Sequence, residues 1–339
     1  MRLSFLRLPA LFLLPLLAAA QAPRIGLIDF YGVKKVPEDR IRKALGVTAG
    51  DPLPKSKEDV EGLIEAVPNV VRARLEATCC SEGNAILYVG IEEKGAPSFV
   101  YHDEPQGTQK LPEEIMDAYR VFLLSVRAAV TLGEVGEDFS QGHSRMVNAK
   151  ARHSQEAFIP LADENMKLLQ DVLRNAADPE QRAIAAYVIG YVKMKRLVID
   201  DLQYAMRDPD ETVRNHAMRT LGGFAVLATK DPELGIKVTP TWFVEMLTSL
   251  VWTDRNNAAV SLVNLTESRE EHLLAHLRER AMPALIEMAR WKHLPHALPA
   301  FILLGRVQGI PEQEIQDTWS KGDREKLIAR ALEKKKKKP

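Results

Sequence analysis

Cysteine is almost missing from this chain: its 339 residues hold two, Cys79 and Cys80, side by side. A secreted disulfide framework needs more cysteines at wider spacing. No second Cys or His pair stands nearby at ligand spacing, which disfavours zinc. Free thiols are the first expectation. A vicinal bridge at a strand end is the alternative, since joining neighbours forces a ring far from relaxed disulfide geometry. Excess charge of either sign is missing too, with 46 Lys and Arg against 46 Asp and Glu, so no basic field exists to hold nucleic acid. Membrane-length apolar runs are absent. Residues 8–17 form an apolar stretch of about ten residues, broken by Pro9 and Pro15 and too short for ~30 Å of hydrocarbon. No P-loop and no dinucleotide fingerprint occurs.

What is present begins with a leader. Residues 1–22 carry a basic start at Arg2 and Arg7, the apolar run, and the small residues Ala18, Ala19 and Ala20. That is the layout of a secretory signal peptide cleaved after Ala20. An uncleaved N-terminal anchor is the alternative, and no Cys follows to take a lipid. Export to the periplasm or envelope is therefore expected. With Arg2 and Arg7 gone, 44 basic residues face 46 acidic ones. The C-terminus, 333–339, ends in five lysines before Pro339 and reads as a solvated tail able at most to touch anionic lipid weakly.

Residues 24–94 can be ordered by pattern. Residues 24–31 (RIGLIDFY) form a strand ending at Gly32. Pro37 opens a helix whose Ile41, Ala44 and Leu45 share one face up to Gly46. After a loop, Ser56 caps a second helix with Asp59 at the capping-box position. Val60, Leu63, Ile64 and Val67 form its stripe, and Pro68-Asn69 ends it. The period then becomes two: Val71, Ala73, Leu75 and Ala77 alternate with Arg72, Arg74, Glu76 and Thr78, a half-buried strand with Cys79 on its apolar side. A turn at 81–84 leads to a third strand over 85–91, closing a hairpin.

The order β-α-α-β-β resembles the polypeptide-transport-associated (POTRA) family. The likeness rests on the aromatic strand ending at Gly32, Leu45-Gly46, the loop through Gly50 and Pro54, and Pro68-Asn69-Val70. It implies two helices on one face of a three-stranded sheet. One copy occurs with no barrel-length set of strands after it, which argues against direct insertion of outer-membrane proteins. A sheet edge, at 24–31 or 85–91, could accept a partner strand. The alternative is that the helical part of the chain covers it.

Residues 95–111, rich in Gly, Pro and polar groups, read as a linker. Residues 112–160 read as connecting helices, the first with a wide apolar face (Ile115, Tyr119, Phe122, Leu123, Val126, Val130), then a loose segment at 133–144. Over 161–332 the chain repeats itself. Asp178-Pro179-Glu180-Gln181 and Asp208-Pro209-Asp210-Glu211 read as one helix start written twice. Arg182, Ala185, Ile189 and Gly190 recur as Arg214, Ala217, Leu221 and Gly222, and then as Arg255, Ala258, Leu262 and Val263. A last copy has Ala297, Ala300, Leu304 and Gly305. The spacings of 32, 41 and 42 residues mark an α-solenoid. The pattern resembles HEAT repeats, which implies that each Arg pairs with an Asp of a neighbouring turn and that the small residues serve stacking.

No catalytic, cofactor-binding or metal site is expected. His272 and His276 stand four apart, but Leu273 and Leu274 occupy the place of a metalloprotease Glu. His293 and His296 flank Leu294-Pro295 at a helix junction. Gly142-His143-Ser144 lacks the second Gly of a nucleophile elbow. Asn264-Leu265-Thr266 sits in a repeat, where a glycan acceptor is a chance match. Trp242 and Trp252 are expected to pack between repeats, and any exposed Trp would be the first anchor for a partner. The expected fold class is α+β, a small βααββ domain followed by an all-α solenoid. The expected function is a non-enzymatic scaffold or adaptor for envelope proteins. An exported regulatory subunit or enzyme with its site between the two parts is the alternative.

Overall fold

The computed structural model describes residues 24–336. The leader and residues 337–339 lie outside it. The small domain begins with β1 (Ile25–Tyr31), α1 (Glu38–Leu45) and α2 (Lys57–Glu65), followed by β2 (Val70–Ser81) and β3 (Asn84–Glu93). Local signals act as read. Gly46 ends α1 in the left-handed region at φ 69°, and Ser56 accepts the Asp59 N–H at 3.1 Å.

The sheet order is β1-β3-β2, with β1 parallel and β2 antiparallel to β3. The strand over 85–91 is thus the centre of the sheet, not an edge. Its unbroken AILYVGI run is the signature of burial on both faces. The edges are β1 and β2, and each is partly covered, β2 by α2 and β1 by the loop at Gly50 and Asp51 and by Lys292 of the helical part. The Glu65 and Glu61 carboxylates of α2 accept the β2 N–H groups of Ala73 (3.0 Å) and Leu75 (2.6 Å). On β1 the Ile25 N–H and carbonyl bond the loop at Asp51 and Gly50. Carboxylates turned onto an edge block strand addition.

One sheet face carries Ile28, Ala73, Leu75, Leu87, Val89 and Ile91, which join Ile41, Leu45 and Ile64 of the helices in a core of their own. The other carries Asp29, Tyr31, Glu76 and Tyr88, and it is not a solvent face. Cys79 is disulfide-bonded, so the free thiol expected there is corrected.

The helical part runs α3 (Glu113–Leu132), α4 (Ala149–Glu156), α5 (Phe158–Glu164), α6 (Met166–Asn175), α7 (Pro179–Val188), α8 (Ile199–Ala205) and α9 (Glu211–Lys230). It continues as α10 (Thr241–Met246), α11 (Trp252–Leu265), α12 (Glu271–Arg280), α13 (Met282–Ala289), α14 (Leu294–Val307), α15 (Glu312–Ser320) and α16 (Arg324–Lys336). The α+β reading holds. The segment read as loose over 133–144 instead starts a short hairpin, β4 (Glu137–Asp138) with β5 (Arg145–Met146). The backbone of α16 extends through Lys336, into the lysine run. No helix among the described residues is long and apolar enough to cross a membrane.

Residues 95–111 lie along the array. The His102 N–H bonds Arg207 O at 2.7 Å, and Gly107 exchanges backbone bonds with Asn175 and Ala177. Tyr101 lies under the Arg214 guanidinium at 4.4 Å, and His102 stacks on Tyr204 at 4.0 Å. Residues 101–107 thereby brace the array from α6 to α9.

Candidate functional site

The recurring arginines build an internal ladder. Arg182 donates to both Asp208 oxygens at 2.8 and 2.9 Å and to the carbonyls of Ala176 and Ala177. Arg214 repeats this with Asp254 and the carbonyls of Asp208 and Pro209. Arg255 holds Ser249 O and Glu287. Each arginine thus ties its own turn to the next repeat, with its charge-assisted bonds sheltered from water. The recurring Gly marks close approach by the following repeat. A Cβ on Gly190 would stand 2.7 Å from Thr220 Cγ2, and one on Gly305 2.5 Å from Ile315 Cδ1.

The helix starts fall four residues before each arginine position: Asp178, Asp210, Val251 and His293. All four share one extended backbone shape, with φ between −75° and −85° and ψ between 106° and 130°. Asp178 and Asp210 cap their own helices. Asp208, read above as a cap, is instead the buried acceptor for Arg182 and for the Asp210 N–H. Val251 and His293 make no side-chain cap bond.

At α11 the sheet supplies the missing acceptor, and at α14 it holds the residue just before the cap. Glu76 of β2 accepts the N–H of Trp252 at 2.5 Å, the N–H of Thr253 at 3.1 Å and the Thr253 hydroxyl at 2.7 Å. Asp29 of β1 accepts the Lys292 N–H at 2.8 Å, just ahead of α14. The Lys292 amine returns to Ile28 O at 2.5 Å. Positive helix ends favour carboxylates, and burial raises the pKa of both acids against those bonds.

Around these contacts lies an aromatic seam. Tyr88 stacks on Trp252 at 4.5 Å, and Trp291 meets Tyr88 at 5.2 Å and Tyr31 at 6.2 Å. The Tyr31 hydroxyl donates to Leu250 O at 2.7 Å. A Cβ on Gly90 would come 2.5 Å from that same carbonyl, so β3 needs glycine there. The Gly32 N–H bonds Glu287, the last carboxylate of the ladder.

Beside the seam opens a cleft of ≈ 700 Å³, walled by β2, residues 96–101, the starts of α9 and α11, and α13. Five arginines line it, and each already holds a carboxylate: Arg72–Glu92, Arg74–Glu211, Arg214–Asp254, Arg255–Glu287 and Arg280–Glu245. Such a wall presents paired charge and two aromatic rings, Phe99 and Tyr101, to whatever enters.

Residues 166–263 match the family of HEAT repeats. No curated protein matches the chain. An engineered protein of known crystal structure is similar at 16% identity and TM-score 0.36, over 55% of this chain and 91% of its own.

The HEAT match spans the ladder from α6 to most of α11, the copies whose sequence pattern is strongest. Other residues singled out by sequence fall as follows. Ser144 donates to Glu137 at 2.6 Å and accepts from Gln155 at 2.9 Å. His143 turns instead to the buried Lys195, whose amine donates to Gly190 O, so no nucleophile–base pair forms. Burial, then Lys195, pushes the His143 pKa down to about 4, and burial lowers Lys195 to about 8. The His272 side chain is 75% exposed beside Glu270, and no group of three or more candidate ligands gathers among the described residues. Trp252 meets Trp291 and His296 of the next repeat at 6.4 and 4.8 Å and also packs on the sheet, and Trp242 packs on Phe99 at 6.3 Å. Sequence reasoning missed Glu76 and Asp29. Their only sequence signal was an acid on the polar side of a strand.

Proposed function

We propose that this protein is a non-enzymatic scaffold or adaptor exported to the cell envelope, with a POTRA-like module fixed across the last HEAT-like repeats. The array's likeness to HEAT repeats supports a protein-binding role, because such solenoids present extended surfaces for other proteins. The decisive observation is the cleft between the two parts. Its arginines are neutralised within the chain, which suits recognition by shape and paired polar groups. The leader's three zones support export, and the βααββ order with its mixed sheet supports the POTRA likeness. The partly covered edges shift the binding role from strand addition to the cleft.

Fractionation combined with affinity purification from envelope extract tests this reading. The full chain should recover a discrete partner and fractionate with the envelope. Substitutions at the rim, Lys34→Glu and Thr212→Arg, should release that partner without unfolding the chain. Recovery of the chain in the cytoplasm would overturn the export reading. Failure of the intact chain to retain any partner would overturn the adaptor reading.

A further inference from the structure

We propose that the seam is an acid-sensitive latch, in which protonation of His293 and His296 drives the sheet module off the last two repeats. The two imidazoles sit at the start of α14 with ring centroids 4.1 Å apart. His296 Nδ1 lies 2.7 Å from the Tyr88 hydroxyl, and its ring is 4.8 Å from Trp252. His293 Nδ1 is buried with no hydrogen-bond partner. Two cations at that spacing, among aromatic rings and at the positive end of a helix, would repel each other and lose hydration.

The charged and titratable surroundings are mixed. Asp29 of β1 acts on His293 and Tyr88 of β3 bonds His296, while Glu76 of β2 holds the start of α11 beside Trp252. On the array, Asp254 and Arg255 stand on α11 and Glu287 on α13. Lys292 precedes α14, and Arg324 of α16 bonds Trp291 O at 2.9 Å. Asp29 is the acid that draws protons towards His293, but burial outweighs it and lowers that pKa. For His296, burial and then the neighbouring His293 lower the pKa to about 4.

A released histidine titrates near 6.5. The undocked state therefore binds more protons between pH 6.5 and about 4, and docking weakens as pH falls through that window. Asp29 and Glu76 act in the opposite sense. Burial raises their pKa values, so the docked state takes up their protons more readily and acid favours docking through them. The histidine window opens at about 6.5, and the two carboxylates narrow it from below as their raised values are reached.

The test uses the full chain and the emission of Trp252 and Trp291. Lowering the pH from 7.5 to 4 should red-shift emission reversibly, with a midpoint inside the histidine window and helical circular dichroism retained. His293→Gln/His296→Gln should move the midpoint down by at least one pH unit. His143→Gln, which alters a buried histidine outside the seam, should leave it in place. Should the double variant fail to fold, imidazole proton resonances of the unaltered chain read the same property, with His296 titrating well below 6.5 while docked. An unchanged midpoint in the folded double variant, constant emission down to pH 4, or a docked His296 titrating near 6.5 would each overturn the latch.

Discussion

The array starts its principal helices in two ways. In the first pair, Asp178 and Asp210 cap α7 and α9 from inside the repeat. In the second pair, Val251 and His293 occupy the same backbone position; Glu76 of the sheet stands in at α11, while Asp29 holds the amide just ahead of α14. Glu76 and Asp29 lie 176 and 263 residues away from the amides they hold. The weakening of the repeat pattern along the chain is thus an exchange of partners. A helix start that docks against another domain can lose its own Asp, because that domain brings one. The same exchange replaces polar surface by Trp252 and Trp291, which would be a liability on an uncovered solenoid.

The comparison is broken most severely inside the ladder. Arg214 and Asp254 are 2% and 0% exposed. Arg214→Ala leaves a buried carboxylate unpaired, a loss of about 3–5 kcal/mol, measurable by chemical denaturation. Arg255→Ala should cost less, because its partner Glu287 is 26% exposed and can be hydrated. Equal losses would mean that the middle and last rungs of the ladder are equivalent. Gly90→Ala presses a methyl into Leu250 O and Tyr31. It should cost about 1–3 kcal/mol as overpacking, with Trp emission shifting to the red, whereas a matching substitution at exposed Gly62 should leave emission unchanged. A buried neutral histidine also sits in the first half. His143, held down to about 4 by burial and Lys195, contributes stability at neutral pH that is lost as pH falls from about 6.5. His143→Gln should flatten that part of the stability profile while leaving seam emission unchanged.

How much of this was legible in the sequence depends on how far apart the interacting residues lie. The Gly46 stop, the Ser56 cap, the order of elements along the chain and the ladder arginines were readable, because each is set within a few residues or by a repeat, whereas the placing of β3 at the centre of the sheet was not. The cap assignment slipped by two residues, since Asp208-Pro209 mimics Asp178-Pro179 while Asp210 does the capping. The alternation in β2 gave the right period and the wrong environment. A polar face of Arg74 and Glu76 looks solvated, yet those charges are consumed by Glu211 and by the start of α11. Tyr88 and Trp252 were visible as aromatics in a chain with few of them, but their 4.5 Å stack joins residues that no local pattern connects. The cleft was invisible for the same reason.

The smallest effect tests the exchange most directly. Glu76→Ala removes the acceptor for two amides and a hydroxyl, and Asp210→Ala removes the in-repeat equivalent. Each should cost about 1 kcal/mol, the usual size of a lost N-cap. The two losses differ in what restores them. Val251 has φ −85° and ψ 124°, close to the −79° and 130° of Asp210, so an aspartate at 251 can reach the first free amides of α11. Glu76→Ala/Val251→Asp should therefore recover part of the loss, whereas Val251→Asp alone, facing an intact Glu76, should destabilise by like-charge repulsion. Denaturation of the four proteins reads the coupling between positions 76 and 251 as a double-mutant cycle. A coupling near zero would mean that Glu76 acts as a contact of the seam and not as the missing cap of the third repeat.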